Sequence, residues 1–418
     1  MTRHLLRLIW NRKRQNFLLT VEIFFSFLTL FGVVLIAMHY ANNARLPLGY
    51  EIDRVWSISV DRKESDSDPA VRARHRETYR LLLQALREMP EVETAAGGFT
   101  GPYVNANWET ATGLEGGGAV RYGMNNVTDD YQTLFSIPMA EGRWFSREDD
   151  GAGYAPVVLN RRMAREIFGD APAVGEIIRE DRSSDRRQEA AEGRGEPPPV
   201  KRVVGVIDEF RQGGELSAAG NYLFQRMRLD RDDPGASLPE RIFVRLAPGT
   251  TAAFEEPLVT RAMAVAGDWS FEIETMEAMR ESKLRQYIIP LVVVGTVAAF
   301  LLMMVGLGLT GVVWQSVTQR IREFGLRRAK GATIPNVRAQ VLTELVIMTS
   351  LALAAGVALV AQLPLLPLPP EVRVVPPGVF VLSVLLSAAA IYLLTLACGW
   401  YPSRLATRVQ PAEALHYE

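Results

Sequence analysis

Four apolar stretches decide what this chain can fold into. Phe17 to Met38, Tyr287 to Trp314, Val341 to Leu363 and Gly378 to Tyr401 are each long enough, as helices, to cross a hydrocarbon core of roughly 30 Å, which takes about 20 residues. Only the first and third carry a charge, Glu22 and Glu344. The first stretch has a basic flank, but its apolar core is longer than the roughly 7–15 residues of a signal peptide core. No small-x-small cleavage pattern follows it directly; the chain continues "HYANNARLP". It is read as a retained span.

Lysine and arginine in the short flanking segments set orientation. Arg3, Arg7, Arg12, Lys13 and Arg14 precede the first span. Arg320, Arg322, Arg327, Arg328, Lys330 and Arg338 lie between the second and third, and Arg404 and Arg408 follow the fourth. The connection 364–377 has only Arg373, set against Glu371. The expected layout is a cytoplasmic segment 1–16, span 17–38, an extracytoplasmic domain 39–286 and span 287–314. A cytoplasmic elbow 315–340, span 341–363, a short outer loop 364–377, span 378–401 and a cytoplasmic tail 402–418 complete it.

The region 39–286 carries 32 lysines and arginines against 41 aspartates and glutamates. That balance gives no basic stripe for nucleic acid. The one cysteine, Cys398, lies in the fourth span, so no intrachain disulfide is possible. The outer domain must be held by its own core, and it is long enough to have one. "DRVWSISV" (53–60) and "VETAAGGF" (92–99) read as strands around a helical 69–89. "APVVLN" and "RRMAREIFGD" read as a strand and a helix stopped by Gly169. Further strands are expected at 200–207, 241–247 and 271–276, with a helix at 251–266. The expected fold is a membrane protein: four transmembrane helices, with a large α+β domain of more than one subdomain between the first two. The charged, proline-terminated stretch 179–199 reads as a flexible insertion. "MEAMRESKLRQ" (276–286) is helix-like and should run unbroken into the second span.

Chemistry-bearing patterns are scarce. No G-x-x-x-x-G-K-[ST] loop occurs. "RQGGELS" (211–217) reads as a turn. "GLGLTG" (306–311) matches a dinucleotide fingerprint only formally, because no strand precedes it; small residues that let helices approach explain it better. The four histidines (4, 39, 75 and 416) are scattered, so no metal site is expected. "EDD" (148–150) reads as a solvated turn. No enzyme and no cofactor are expected. Glu22 and Glu344, within spans, are functional candidates, or they snorkel to the basic interface.

"EFGLRRAKGAT" (323–333) is the most informative short stretch. Val317, Ile321 and Phe324 form one apolar stripe, and Glu323 and Arg327 are four apart in the order that supports a helix. Gly325 weakens the helix interior, Gly331 suits a C-terminal cap, and Thr333 can cap the next helix with Pro335 in its first turn. The result is an amphipathic elbow between two spans. On these residues alone it could dock on lipid headgroups or on a partner.

"RIREFGLRRAKGAT" (320–333), followed by a span bearing a glutamate, resembles the cytoplasmic loop of the MacB/FtsX family of ABC-transporter permeases. "DDYQTLFSIPMAEGRWFSREDD" (129–150), "APVVLNRRMAREIFG" (155–169) and "KRVVGVIDEFR" (201–211) resemble blocks of that family's periplasmic core domain, and "QPAEALHYE" (410–418) its usual end. The resemblance implies an inner-membrane dimer, homo- or heteromeric, that passes ATP-driven motion from an ATPase to the outer domain. With no phosphate loop in the chain, the ATPase is expected as a separate subunit. Ile321, Glu323, Phe324, Gly325, Arg327, Arg328, Lys330 and Gly331 would form the ATPase contact, with Phe324 in an apolar groove. Export is the expected role, with a membrane-fusion protein and an outer-membrane channel as further partners. The alternative is an FtsX-like regulator or sensor acting on a cell-wall hydrolase or signalling partner. Substrate identity is not legible in these strands.

Overall fold

The computed structural model describes residues 13–65, 68–105, 108–114, 118–179, 199–230, 238–320, 326, 333–365 and 375–405. The chain packs as two units. One is Asn43–Gln286, and the other comprises the described residues of Met1–Asn42 and Tyr287–Glu418.

The Asn43–Gln286 unit holds one sheet. Its strands are β1 (Val55–Arg62), β2 (Val92–Gly98), β3 (Glu109–Gly113), β4 (Ala119–Val127) and β5 (Met139–Gly142). They continue as β6 (Tyr154–Asn160), β7 (Val200–Ile207), β8 (Tyr222–Arg226), β9 (Arg241–Leu246) and β10 (Trp269–Thr275). The spatial order is β10-β1-β9-β2-β4-β8-β6-β7-β5, with β3 added on β4. Pairing is antiparallel except for β4 with β8 and β6 with β7. The expected subdomains are thus two halves of one sheet. They meet between β2 and β4 at a single paired position, Gly98 with Val127, flanked by Phe99 N–H to Asn126 O and Thr128 N–H to Gly97 O.

Period-two alternation sorts side chains among three cores. In the first half, Ile58, Ile242 and Val244 face helices α2 (Pro69–Arg87) and α5 (Glu255–Val265). Asp68 caps α2 by accepting from Ala70 N at 2.8 Å, with Pro69 in the first turn. Tyr79, Leu82, Leu83 and Leu86 then recur at helical spacing on its buried face. In the second half, Val157, Leu159, Val203 and Leu223 face α4 (Arg161–Phe168). Asn160 caps α4 through Met163 N at 3.2 Å, and Gly169, at φ +65°, ends it.

The intervening residues of both halves, Val55, Ala96 and Phe243 with Val158, Tyr222 and Phe224, share a third, aromatic core. The short helix α3 (Tyr131–Leu134) plugs it. The Tyr131 ring lies 5.9 Å from Phe243 in one half and 5.8 Å from Phe224 in the other. Strands β3, β4, β5 and β8 were not anticipated from the sequence.

The other unit is helical: α1 (Lys13–Asn43) up to Asn42, α6 (Met276–Gln319) from Tyr287 onward, α7 (Ile334–Val360) and α8 (Pro377–Leu405). All four are long and apolar enough to cross a membrane. On α7, Val337, Val341, Leu345, Met348, Ala352, Leu353, Gly356 and Val360 form one buried stripe. Two glycines allow close approach there. A Cβ at Gly356 would stand 2.5 Å from the Phe27 ring of α1, and one on α8 at Gly399 would stand 2.6 Å from Leu345. Hydroxyls tie α7 to α8, Thr349 to Thr395 at 3.1 Å and Ser350 to Tyr392 at 2.8 Å. In "GLGLTG" the expected close approach is confined to Gly308. Gly306 makes ordinary contact and Gly311 faces open space.

The insertion 179–199 lies outside the described residues apart from its two ends, as do most of 364–377 and of the C-terminal tail.

Candidate functional site

Ile321, Glu323, Phe324, Gly325, Arg327, Arg328, Lys330 and Gly331 lie outside the described residues; the flanks of the elbow do not. Helix α6 ends at Gln319, and Arg320 N–H closes a final turn on Val317 O at 3.1 Å. On the far side Thr333 takes the extended N-cap conformation with Pro335 in the first turn, but its hydroxyl makes no capping bond. The amides of Asn336 and Val337 bond to Thr333 O instead.

One of the two intramembrane carboxylates has a specific partner. Arg320 Nη1 donates to both Glu344 oxygens, at 2.9 and 2.8 Å, and Gln340 Nε2 donates to Oε1 at 3.5 Å. Both side chains are largely removed from solvent, with 9 % of Arg320 and 18 % of Glu344 exposed. Glu344 is thus paired with Arg320, an arginine of the basic stretch that follows α6. Glu22 lies in a notch over Gly308, where a Cβ would stand 3.0 Å from Oε2. The two glutamates are on different helices, α1 and α7.

A third cluster, within the Asn43–Gln286 unit, escaped the sequence reading. Arg211 follows β7 and is almost wholly buried, at 2 % exposure. Among the described residues no carboxylate forms an ion pair with it. Its Nη1 donates to Asn43 O (2.8 Å) and Leu46 O (3.1 Å), and its Nη2 to Glu215 O (2.6 Å) and Ser217 O (2.5 Å). Its Nε is buried without a protein partner, as is Glu215 Oε2. Burial away from water lowers the guanidinium from its ordinary value. Four carbonyl dipoles compensate it, as a buried cation requires.

Asn43, the last residue of α1, also donates to Leu216 O at 3.1 Å. The first turns of α6 reach the same loop. Met276 and Met279 sit in the aromatic core, and Arg280 Nε pairs with Glu215 Oε1 at 2.5 Å. Lys283 Nζ donates to Asn105 Oδ1 at 2.8 Å. Burial pushes the Tyr103 phenol up to about 12, so it stays a neutral donor to Glu215 Oε1 at 3.3 Å. "RQGGELS" is a turn, as read, with Gly214 N–H on Arg211 O and Ser217 N–H on Gly214 O. Gly214 is required twice over, by φ +83° and by the Tyr103 ring 2.4 Å from where a Cβ would stand. The signal available in sequence was an arginine directly after a buried strand and before Gly-Gly. Nothing local names its acceptors, because they are backbone.

"EDD" is a turn but not a wholly solvated one: Asp149 is buried, and Asp149 and Asp150 form ion pairs. Asp149 makes two bonds to Arg143, at 2.7 and 2.9 Å, and Asp150 pairs with Arg226 at 2.7 Å. Among the described residues no group of three or more His, Cys, Asp or Glu side chains could hold a metal.

Residues 23–260 match the model of the MacB-like periplasmic core domain, and residues 295–411 that of the FtsX-like permease C-terminal region. The chain is 26% identical over 293 residues to the pyoverdine export ATP-binding/permease protein PvdT of Pseudomonas syringae pv. tomato, covering 69% of this chain and 42% of that one. It is 24% identical over 360 residues to the macrolide export ATP-binding/permease protein MacB of Bdellovibrio bacteriovorus, covering 82% and 49%. The ABC transporter permease YknZ of Bacillus subtilis is 24% identical over 304 residues, covering 71% and 70%. This chain spans less than half the length of the first two. The core-domain match alone takes in more than half of the 418 residues, and the chain belongs to the MacB/FtsX-like family of ABC-transporter permeases.

Proposed function

We propose that the chain relays ATP-driven motion to its extracytoplasmic sheet unit, as the permease part of a transporter exporting a substrate from the periplasmic side. The observation that carries this reading is helix α6. It runs as one helix over Met276–Gln319, from first turns held in the aromatic core to the residue before the Arg320–Glu344 pair. A continuous helix passes an axial displacement along its length, and Pro290 inside it, which cannot donate to the Gln286 carbonyl, is the one place where this helix is weakened.

The elbow takes the input. Ile321 and Phe324 supply an apolar contact, and Glu323, Arg327, Arg328 and Lys330 supply charges to the rim of an ATPase groove; Gly325 and Gly331 belong to the same contact stretch. The ATPase lies outside residues 1–418, which contain no phosphate loop. A dimer of permeases faces a dimer of ATPases, and the matched export permeases support the outward direction. A membrane-fusion protein and an outer-membrane channel then complete the path. Both ends of the chain and the elbow are cytoplasmic, from the lysine and arginine distribution.

The test is nucleotide turnover in lipid nanodiscs. Residues 1–418 alone should hydrolyse no ATP, and an ABC-type ATPase that co-isolates with them should do so. Turnover by the chain alone, surviving removal of contaminants, would sink the reading.

A further inference from the structure

Both places where a helix joins the sheet unit converge on the loop 211–217. Asn43 and Leu46, at the end of α1 and just after it, give their carbonyls to Arg211 Nη1; Glu215 and Ser217, in the loop itself, give theirs to Nη2. The Glu215 side chain then takes Arg280 of α6. The loop is fixed to the core at its own ends. Arg211 N–H donates to Leu48 O at 3.0 Å, Tyr50 OH to Arg211 O at 3.1 Å, and Tyr103 N–H to Gln212 O at 2.7 Å. Gln212 bridges Thr100 and Tyr222, with Nε2 on Thr100 Oγ1 at 2.9 Å and Tyr222 OH on Oε1 at 3.0 Å.

We propose that Arg211 is the positioning residue of a clasp that couples the two helix junctions, so that displacement of either is passed to the other through one loop. The planar fork suits this task. Its four terminal N–H groups engage four carbonyls from two chain segments at fixed angles, which a lysine with three donors on a flexible stem cannot reproduce. None of these four carbonyls belongs to a strand. The proposal rests on the relay reading for its purpose, but not for its geometry.

The test is amide hydrogen exchange on the full chain in nanodiscs, without nucleotide or ATPase. In Arg211→Met, exchange should rise about tenfold in 43–48 and 211–217. It should also rise in 276–283, which Arg211 does not touch, because the loop that holds Glu215 is released. Glu215→Gln should raise exchange in 276–283 and leave 43–48 at the wild-type rate. Wild-type protection of 276–283 in Arg211→Met would overturn the clasp. Uniform loss of protection across β1, β6 and β7 would also overturn it, since Arg211 would then serve the fold as a whole. If the methionine variant does not fold, Arg211→Lys is read by the same pattern. Failure of the transporter reading would appear in ATP turnover and leave these exchange outcomes unchanged.

Discussion

Arg320 and Glu344 form a closed ion pair between the end of α6 and the second turn of buried residues on α7, with one guanidinium nitrogen bonded to both carboxylate oxygens. Breaking a buried pair from one side leaves an uncompensated charge and costs about 3–5 kcal/mol. Glu344→Gln or Arg320→Gln should therefore lower the unfolding midpoint of the detergent-solubilised chain sharply. The double replacement Arg320→Met with Glu344→Leu should recover most of the loss. Equal loss in the single and double variants would mean that the pair contributes only packing.

The elbow prediction separates partner docking from lipid docking. An anchor residue truncated to alanine commonly costs about 2 kcal/mol or more, roughly a thirtyfold loss of affinity. Phe324→Ala should insert normally and lose its ATPase under dilute washing. Retention of the ATPase at wild-type stoichiometry would withdraw Phe324 and the contact residues grouped with it.

Orientation is checked by labelling in a Cys398→Ser background. In intact spheroplasts an impermeant thiol reagent should modify Ser183→Cys and leave Ser316→Cys untouched. The reverse pattern would invert the layout.

Two glycines at similar φ should respond differently to alanine. Gly151 is at φ +82° with nothing within 4 Å of a Cβ, and Gly214 is at φ +83° against the Tyr103 ring. Gly151→Ala should cost about 1 kcal/mol from the left-handed backbone alone. Gly214→Ala adds a clash in a packed core and should cost more than about 2 kcal/mol. Denaturant unfolding of the two variants gives the order directly.

Acid sensitivity should trace in part to Asp149. The hydrogen bonds from Arg143, with one from the Ser146 amide, hold its carboxyl below the ordinary aspartate value. A lowered folded value gives stability that is present above the unfolded value of about 3.9 and is lost as pH falls through the folded one. Because Arg143 is half-exposed, the contribution is about 1 kcal/mol. Asp149→Asn should be less stable than wild type at pH 7, and the gap should close below about pH 4. A gap independent of pH would assign the loss to shape and not to charge.

The apolar spans and the alternating strands were legible because each element repeats its own period against a single solvent or core. Strands 200–207 and 241–247 stand out instead as short runs of β-branched and aromatic residues, buried on both faces. The strands β3, β4 and β8 were missed because "ETATG", "AVRYGMNNV" and "YLFQR" interleave polar residues and glycine. They are strands because neighbours pair with them, which is a tertiary cause. Arg320 was read only as a topology charge; its partner is 24 positions away on another helix. Arg211 was harder still. A guanidinium whose hydrogen-bond acceptors are all backbone carbonyls leaves no complementary side chain to find, so only the fold discloses it.

Tyr131 stands between Phe243 and Phe224, over the one position where the two half-sheets pair. Hydrogen-bonded ladders resist splay because each bond is directional and is lost over a few tenths of an ångström, whereas apolar contact is graded and has no preferred axis. A seam this narrow makes the sheet stiff within each half and compliant along one line. Bending along that line is opposed by the rings around Tyr131 together with the buried bonds that cross it, Asn125 with Thr100 and Thr128 with Gly97.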